Sequence, residues 1–262
     1  MKNNMKLYPT ELIEDCLKRK LLECDVNPKY AANISNSLVK ASMRGIHSHG
    51  VSLINRYITE INAGTIQPNV PPQLNIQESN FSISAKLDKY KGFGQIGALE
   101  LINKIIDLIQ IETKLISITI TNCNHIGDLK QYAEIFNSKG FSFLGIASAG
   151  ANVGLNEGRK VGTNPFCLTI PLKIGNNEYF GCDLATSIFP EGKVRVAKMN
   201  KSKLPQGIIF DNQGNPSDDP NDLYNGGWLR PFGDYKGFAM GASIDLFLGF
   251  LGGASNAINW DC

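Results

Sequence analysis

Arg44-Gly45-Ile46-His47-Ser48-His49-Gly50, running on into Val51 to Arg56, is the stretch from which the rest of the chain is read. It holds two of the three histidines. Histidine has the side-chain pKa nearest neutrality, so it is the natural proton carrier at cell pH. Gly45 and Gly50 let the backbone bend around Ser48 and let a small ligand approach. The stretch also decides the fold, because a helical pattern lies on each side of it. Asn27-Pro28 reads as a cap followed by proline at the first helical position. That helix runs through Ile34, Leu38 and Val39 to about Met43. A further helix covers about Val51 to Ala63 and stops at Gly64. A turn between two helices reads as the mouth of a site on rigid elements. The competing reading is that one histidine only caps a helix or packs in a core.

Working outward, Glu11 to Cys24 has helical spacing, with Thr10 as its expected N-cap. The proline-bearing segment Gln67 to Pro72 closes a helical N-terminal part, 1–72. From 73 to 262 strands and helices alternate. Leu74 to Ile83 contains two short strand-like runs, and Gly97 to Ile111 is an amphipathic helix. Leu115 to Thr121 reads as a buried strand, followed by a helix over Asp128 to Asn137 with Gly140 just beyond it. Ser142 to Ser148 is a strand, and Phe166 to Leu172 and Glu178 to Asp183 form two more around an Asn176-Asn177 turn. Asp211 to Asp222 is a loop, and Tyr235 to Leu251 is a strongly apolar final helix. This alternation gives an α/β class with a mixed or parallel sheet, read as a single catalytic unit over 1–262.

The totals narrow the function. The 262 residues are 42% hydrophobic and 19% charged, which fits a globular chain with a sizeable core. A formal net charge of +2 gives no reason to expect nucleic acid or an anionic membrane as partner. The six scattered cysteines form no Cys-x-x-Cys pair, which argues for a reducing compartment. No signal-like run opens the chain, and Ala242 to Ala254 is too short to span a bilayer, so a cytoplasmic protein is expected.

Several motifs bear on chemistry. Gly92-Phe93-Gly94-Gln95-Ile96-Gly97 matches the dinucleotide fingerprint, but no apolar strand is read directly before it. The next strand ends in Thr121-Asn122 rather than an acid, so helix-entry glycines are the preferred reading. Asn122-Cys123-Asn124-His125-Ile126-Gly127 follows a strand, where open sheets bind ligands, although the asparagines could simply cap a helix. Thr163 and Asn164, within Gly162-Thr163-Asn164-Pro165, can hydrogen-bond a carbonyl or carboxylate. Asp183-Leu184-Ala185-Thr186-Ser187 sets a carboxylate beside hydroxyls, fit to orient a histidine or to cap. Lys193 to Lys203 is a basic run, read as a solvated loop or a phosphate contact. Lys236-Gly237 opens the last helix, where backbone N–H groups and a lysine can grip an anion. His47-x-His49 with His125 is a possible metal site, but no carboxylate lies near in sequence, and none is assigned.

Taken in order, Arg44 to Gly50, Asn124-His125-Ile126-Gly127, Gly162 to Pro165, Asp183 to Ser187, Leu204-Pro205-x-Gly207 and Lys236-Gly237 resemble the malate/L-lactate dehydrogenase family of the non-Rossmann kind. That family also includes ureidoglycolate dehydrogenase, diketogulonate reductase, sulfolactate dehydrogenase and cyclic-imine reductases. The resemblance runs from the N-terminal helices to about Ser255. It implies a helical N-terminal part packed on a mixed β-sheet, distinct from the usual Rossmann fold. It also implies its own mode of binding NAD or NADP, a small 2-oxo or 2-hydroxy acid as substrate, and a homodimer. By this resemblance His49 is the proton donor and acceptor, and Ser48 and Thr163 hydrogen-bond the substrate. His47, Asn164 and Arg56 are placed as substrate contacts. Asp183 supports the histidine against the cofactor, and His125 matches a histidine that some members use as base. Leu184, Ala185, Thr186, Ser187, Lys236 and Gly237 complete the cofactor contacts. His49 and Asp183 are thus expected to converge on a nicotinamide ring.

Three departures stand out. Many members carry arginine four residues after the histidine, where this chain has Leu53; Arg56 is the expected substitute. Asn152 to Lys160 is shorter than usual. The family's usual C-terminal segment is not present after Cys262. The alternative function is therefore a short, catalytically silent relative acting as a binding or assembly subunit.

Overall fold

The cap that opens the second helix forms as the sequence dictates. In the computed structural model, which describes residues 7–110, 113–155, 158–173 and 178–252, the Asn27 side chain accepts from Lys29 N at 2.9 Å. Pro28 begins α2 (Pro28–Met43). The first helix, α1 (Thr10–Leu22), starts one residue earlier than expected: Pro9 is the N-cap and makes no side-chain hydrogen bond, and Thr10 is already helical. Proline needs no N–H there and fixes φ suitably. The histidine stretch folds into two 3-10 turns, His47–His49 and Val51–Leu53, which lead directly into α3 (Ile54–Asn62). Leu17, Leu21, Ile34, Leu38, Leu53 and Tyr57 bury against one another in a single core under these helices.

The chain divides into two compact units, 1–128 and 129–262. In the first, β1 (Gln73–Glu78) and β2 (Ser82–Asp88) pair antiparallel, and β3 (Leu115–Thr121) joins β2 in parallel after the crossover helix α4 (Gly94–Leu108). The sheet is mixed, as expected. Two expectations change here. β2 runs to Asp88, five residues past Ile83, because Ile83, Ala85 and Leu87 alternate onto the buried face while Ser84 and Lys86 face water. β3 is an edge strand rather than a buried one, and Leu115 is exposed. β-branched composition marks a strand but does not say how many neighbours cover it.

The second unit opens with α5 (Lys130–Ser138), with Gly140 beyond it at φ +84°. An antiparallel sheet of β4 (Phe143–Ile146), β5 (Phe166–Pro171) and β6 (Tyr179–Leu184) follows, in that order. The expected Asn176-Asn177 turn and the chain beyond 252 lie outside the described residues. The basic run is loop only at its end, 200–203: Glu191–Met199 forms α6, in which Arg195 pairs with Glu191 at 3.1 Å and Lys198 lies 4.5 Å over the Tyr224 ring. The acid that opens the helix, Glu191, lies two residues before the basic run. The Asp211 to Asp222 segment is only partly loop. β7 (Ile209–Phe210), β8 (Pro216–Ser217) and β9 (Trp228–Leu229) make a small antiparallel sheet, and α7 (Pro220–Tyr224) is capped by Asp219, whose side chain accepts from Asn221 N. The last helix, α8 (Tyr235–Gly252), is apolar nearly all round, yet Phe247, Phe250 and Leu251 are exposed. Among the described residues no helix is long and apolar enough to cross a membrane. None of the five described cysteines is in a disulfide.

Candidate functional site

Two loops far apart in sequence meet in the first unit, and each carries a histidine. The 47–49 turn is pressed down onto α2: the Ser42 hydroxyl accepts from Val51 N at 3.0 Å, and a Cβ on Gly50 would lie 2.0 Å from that oxygen. Glycine at 50 is therefore required by close approach. A 3-10 turn has three residues per turn, so His47 and His49 face different ways. His47 is exposed, while His49 is half-buried. That removes the shared face on which a His47-x-His49 metal pair would depend. Ser48 Oγ lies 3.0 Å from His49 Nδ1 and holds the ring.

The second loop leaves the carboxyl end of β3, where the sequence placed it. Asn122 takes φ +50° and donates from Nδ2 to Asp88 Oδ2 at 2.6 Å. Asn124 Oδ1 accepts from His125 N at 2.7 Å. The asparagines thus shape this loop and do not cap α5, whose N-cap is Leu129. His125 and His49 stack with ring centroids 5.3 Å apart and planes 26° from parallel. Arg44, at the foot of one loop, and Asp128, at the end of the other, form a 2.6 Å ion pair that fastens the two together.

The glycine fingerprint serves this assembly. A strand, β2, does precede it, and β2–α4–β3 is a parallel crossover, so the topological objection raised from sequence falls. The glycines are nonetheless filled. A Cβ on Gly94 would meet Asn124 O at 2.6 Å, and one on Gly92 would meet the Lys89 side chain at 2.8 Å. Lys89 is fully buried, donates to Val70 O, and lies 5.1 Å over the Tyr30 ring; burial lowers its pKa. The glycines seat the His125 loop on α4, and chain rather than phosphate occupies their open side.

Two residues here escaped the sequence reading. Tyr57, fully buried on α3, places its hydroxyl 2.7 Å from His125 Nδ1. Gln95, buried on the first turn of α4, donates from Nε2 to that hydroxyl at 3.4 Å. A Tyr and a Gln on helical apolar faces carry no local signal; only their convergence on His125 marks them. Arg56, the expected substitute for a carboxylate-gripping arginine, instead pairs with Glu60 along its own helix at 2.7 Å. Leu53 sits in the core.

Cys123, also on this loop, is held in its thiol form: burial pushes its pKa up to about 11. At about pH 8 roughly one molecule in a thousand carries the thiolate there. Iodoacetamide at that pH is expected to modify the exposed Cys16 and Cys182 well before Cys123, as read by peptide mass mapping. Equal rates at all three would contradict this burial.

In the second unit, Asp183 lies on β6 opposite Cys167, on the same sheet face as that buried thiol and Gly145. Thr163 O accepts from both the amide and the hydroxyl of Thr186, at 2.9 and 3.1 Å. The Ser187 hydroxyl donates to Phe189 O at 2.8 Å. Asn164, expected against the substrate, is fully buried: its Oδ1 accepts from Ala149 N and its Nδ2 donates to Gly241 O. Both ends of that amide clamp backbone, which assigns Asn164 to holding α8. Gly237 is buried against the Thr186 carbonyl, and Lys236 beside it is exposed. Leu184 is exposed and Ala185 half-exposed.

A stacked imidazole pair with a hydroxyl on each ring has the chemistry to hold or pass a proton. The family described as malate/L-lactate dehydrogenase matches residues 8–261. A malate dehydrogenase from Pyrococcus abyssi is 28% identical over 261 residues, covering 96% of this chain and 70% of that protein. An L-sulfolactate dehydrogenase from Methanocaldococcus jannaschii is 30% identical over 250 residues, covering 93% and 68%. The solved structure of the delta1-piperideine-2-carboxylate reductase from Pseudomonas syringae superposes with a TM-score of 0.81 at 25% identity, covering 98% of this chain and 76% of that one. The chain belongs to the malate/L-lactate dehydrogenase family, and it is an oxidoreductase of that general kind.

Proposed function

We propose that this protein interconverts a small 2-oxo acid and its 2-hydroxy acid with NAD or NADP, His49 carrying the proton. The observation that carries the reading is the His49–His125 stack, anchored by Ser48 on one ring and Tyr57 on the other. When bound, the nicotinamide supplies the hydride equivalent. In the reducing direction the His49 imidazolium gives its proton to the carbonyl oxygen that becomes the hydroxyl; in the other direction the neutral ring takes it back. Ser48 keeps the ring turned for that transfer, and Thr163 and His47 are substrate contacts in this reading.

In this reading the second unit supplies the cofactor contacts. The hydroxyls of Thr186 and Ser187 are committed to backbone carbonyls, so these residues shape the segment. Asp183, Leu184, Ala185 and the exposed Lys236 at the head of α8 are the groups that would hold the cofactor. Asp183 is the carboxylate that supports the histidine in this proposal, and homodimeric assembly belongs to it as well. NADH or NADPH incubated with a panel of 2-oxo acids should be oxidised, as followed by nicotinamide absorbance. A chain that binds neither cofactor in calorimetry is instead the silent binding or assembly relative. The buried Leu53 favours that second reading.

A further inference from the structure

Tyr90 and Lys91 stand in a turn that glycine would form with less strain. Both take left-handed backbone angles, φ +45° and +65°, and Asn122, bonded across from them, takes +50°. A side chain in that region crowds its own backbone, the more so for a residue as bulky as tyrosine. Two backbone bonds close the turns on each other: Lys91 N–H donates to Asn122 O at 2.6 Å, and Asn124 N–H donates to Gly92 O at 2.9 Å. The Asp88 carboxylate holds both turns, accepting from Tyr90 N at 2.9 Å and from Asn122 Nδ2 at 2.6 Å. The frame is thus made by backbone, Asp88 and Asn122. The Tyr90 and Lys91 side chains make no hydrogen bond or ion pair among the described residues, so no polar contact of theirs offsets the strain. Strained positions cluster where ligands are held. These two side chains border an open cleft of about 510 Å³, within the size range of small-molecule sites. Thr65, Gln67, Asn122 and Asn124 also line it. An ammonium next to an exposed phenol ring, among amides and a hydroxyl, suits a flat molecule with one negative charge.

We propose that this cleft binds a small flat carboxylate, with Lys91 as its counter-ion and the Tyr90 ring as its platform. The site reaches the histidine loop through Asn124, whose Oδ1 accepts from His125 N at 2.7 Å. A ligand in the cleft therefore bears on the loop that carries His125. The test needs neither cofactor nor turnover, so the site stands or falls apart from the acid/base reading. The probe is benzoate, titrated into the full chain at low salt, where the ammonium is least screened. Backbone amide signals in proton–nitrogen NMR are the readout. Saturable shifts in the millimolar range are expected at Lys91, Asn122 and Asn124, with His125 following. Benzamide, the same ring without the charge, is expected to bind roughly tenfold more weakly, and Lys91→Met to weaken benzoate by about the same factor. Lys91→Gly separates binding from folding, because it removes the ammonium and relieves the left-handed strain together. Benzoate binding should fall in that variant while its urea unfolding midpoint stays level or rises. No saturable shift at the cleft amides, equal binding of benzamide, or undiminished benzoate binding in Lys91→Met overturns the site. A lowered midpoint in Lys91→Gly would show that the lysine side chain supports the fold, and overturns the proposal's argument from strain.

Discussion

Replacing His49 with alanine is expected to lower kcat/KM for 2-oxo acid reduction by about a hundred- to ten-thousandfold, the usual worth of a positioned acid/base group. The loss should fall on kcat more than on KM, because the proton moves only as the transition state forms. His125 is poorly placed to take over. Its Nδ1 is engaged by Tyr57, and its backbone N–H donates to Asn124 Oδ1 within its own loop, which is separate from the His49 turn. His49→Gln is expected to lose nearly as much, since an amide cannot shuttle a proton. Both variants should keep the wild-type circular dichroism, because the His49 ring is half-exposed and outside the helical core. Undiminished turnover in His49→Ala would remove the mechanism, whatever the cofactor.

The largest effect on stability is expected at Arg44 and Asp128. Asp128 is nearly fully buried, and its partner keeps 23% of its side-chain surface in water. Arg44→Met takes the Arg44 guanidinium away from a buried carboxylate. The expected loss is about 3 kcal/mol, at the low end for breaking a buried pair because Arg44 is partly wet. Asp128→Leu alone should cost a similar amount, by taking the carboxylate away from a partly buried guanidinium. The double variant Arg44→Met/Asp128→Leu should recover most of either loss, since two well-packed apolar residues can replace a buried pair. Urea denaturation of the four proteins gives the cycle. Additive losses in the double variant would show that the pair is not coupled. Because the pair ties the two histidine loops together, Arg44→Met should also weaken turnover below its unfolding midpoint.

Much of the local structure was legible from residues alone. Asn27-Pro28 announces a helix start by capping chemistry, and the apolar spacing of Ile34, Leu38 and Val39 carries it to Met43. The strand at 115–121, the glycine beyond α5 and the apolar final helix were likewise placed correctly. The misses share a cause. Thr10, Leu115 and the basic run after Lys193 were read from their own chemistry, but their states depend on neighbours: Pro9 before the helix, an open sheet edge, and Glu191 two residues outside the run.

The sequence by itself determined which residues have proton chemistry and where the helices and strands that carry them lie, because periodicity, caps and side-chain pKa are local properties. Only the tertiary structure decided which of those residues meet. His49 and His125 stack because Arg44 reaches Asp128 across 84 positions and because Gly94 lets the second loop rest on α4. Tyr57 and Gln95 join them, while Arg56 turns to Glu60 and Asn164 to backbone. Long-range contacts of this kind follow from how buried faces and single ion pairs close against one another, and no residue's own type encodes its partner.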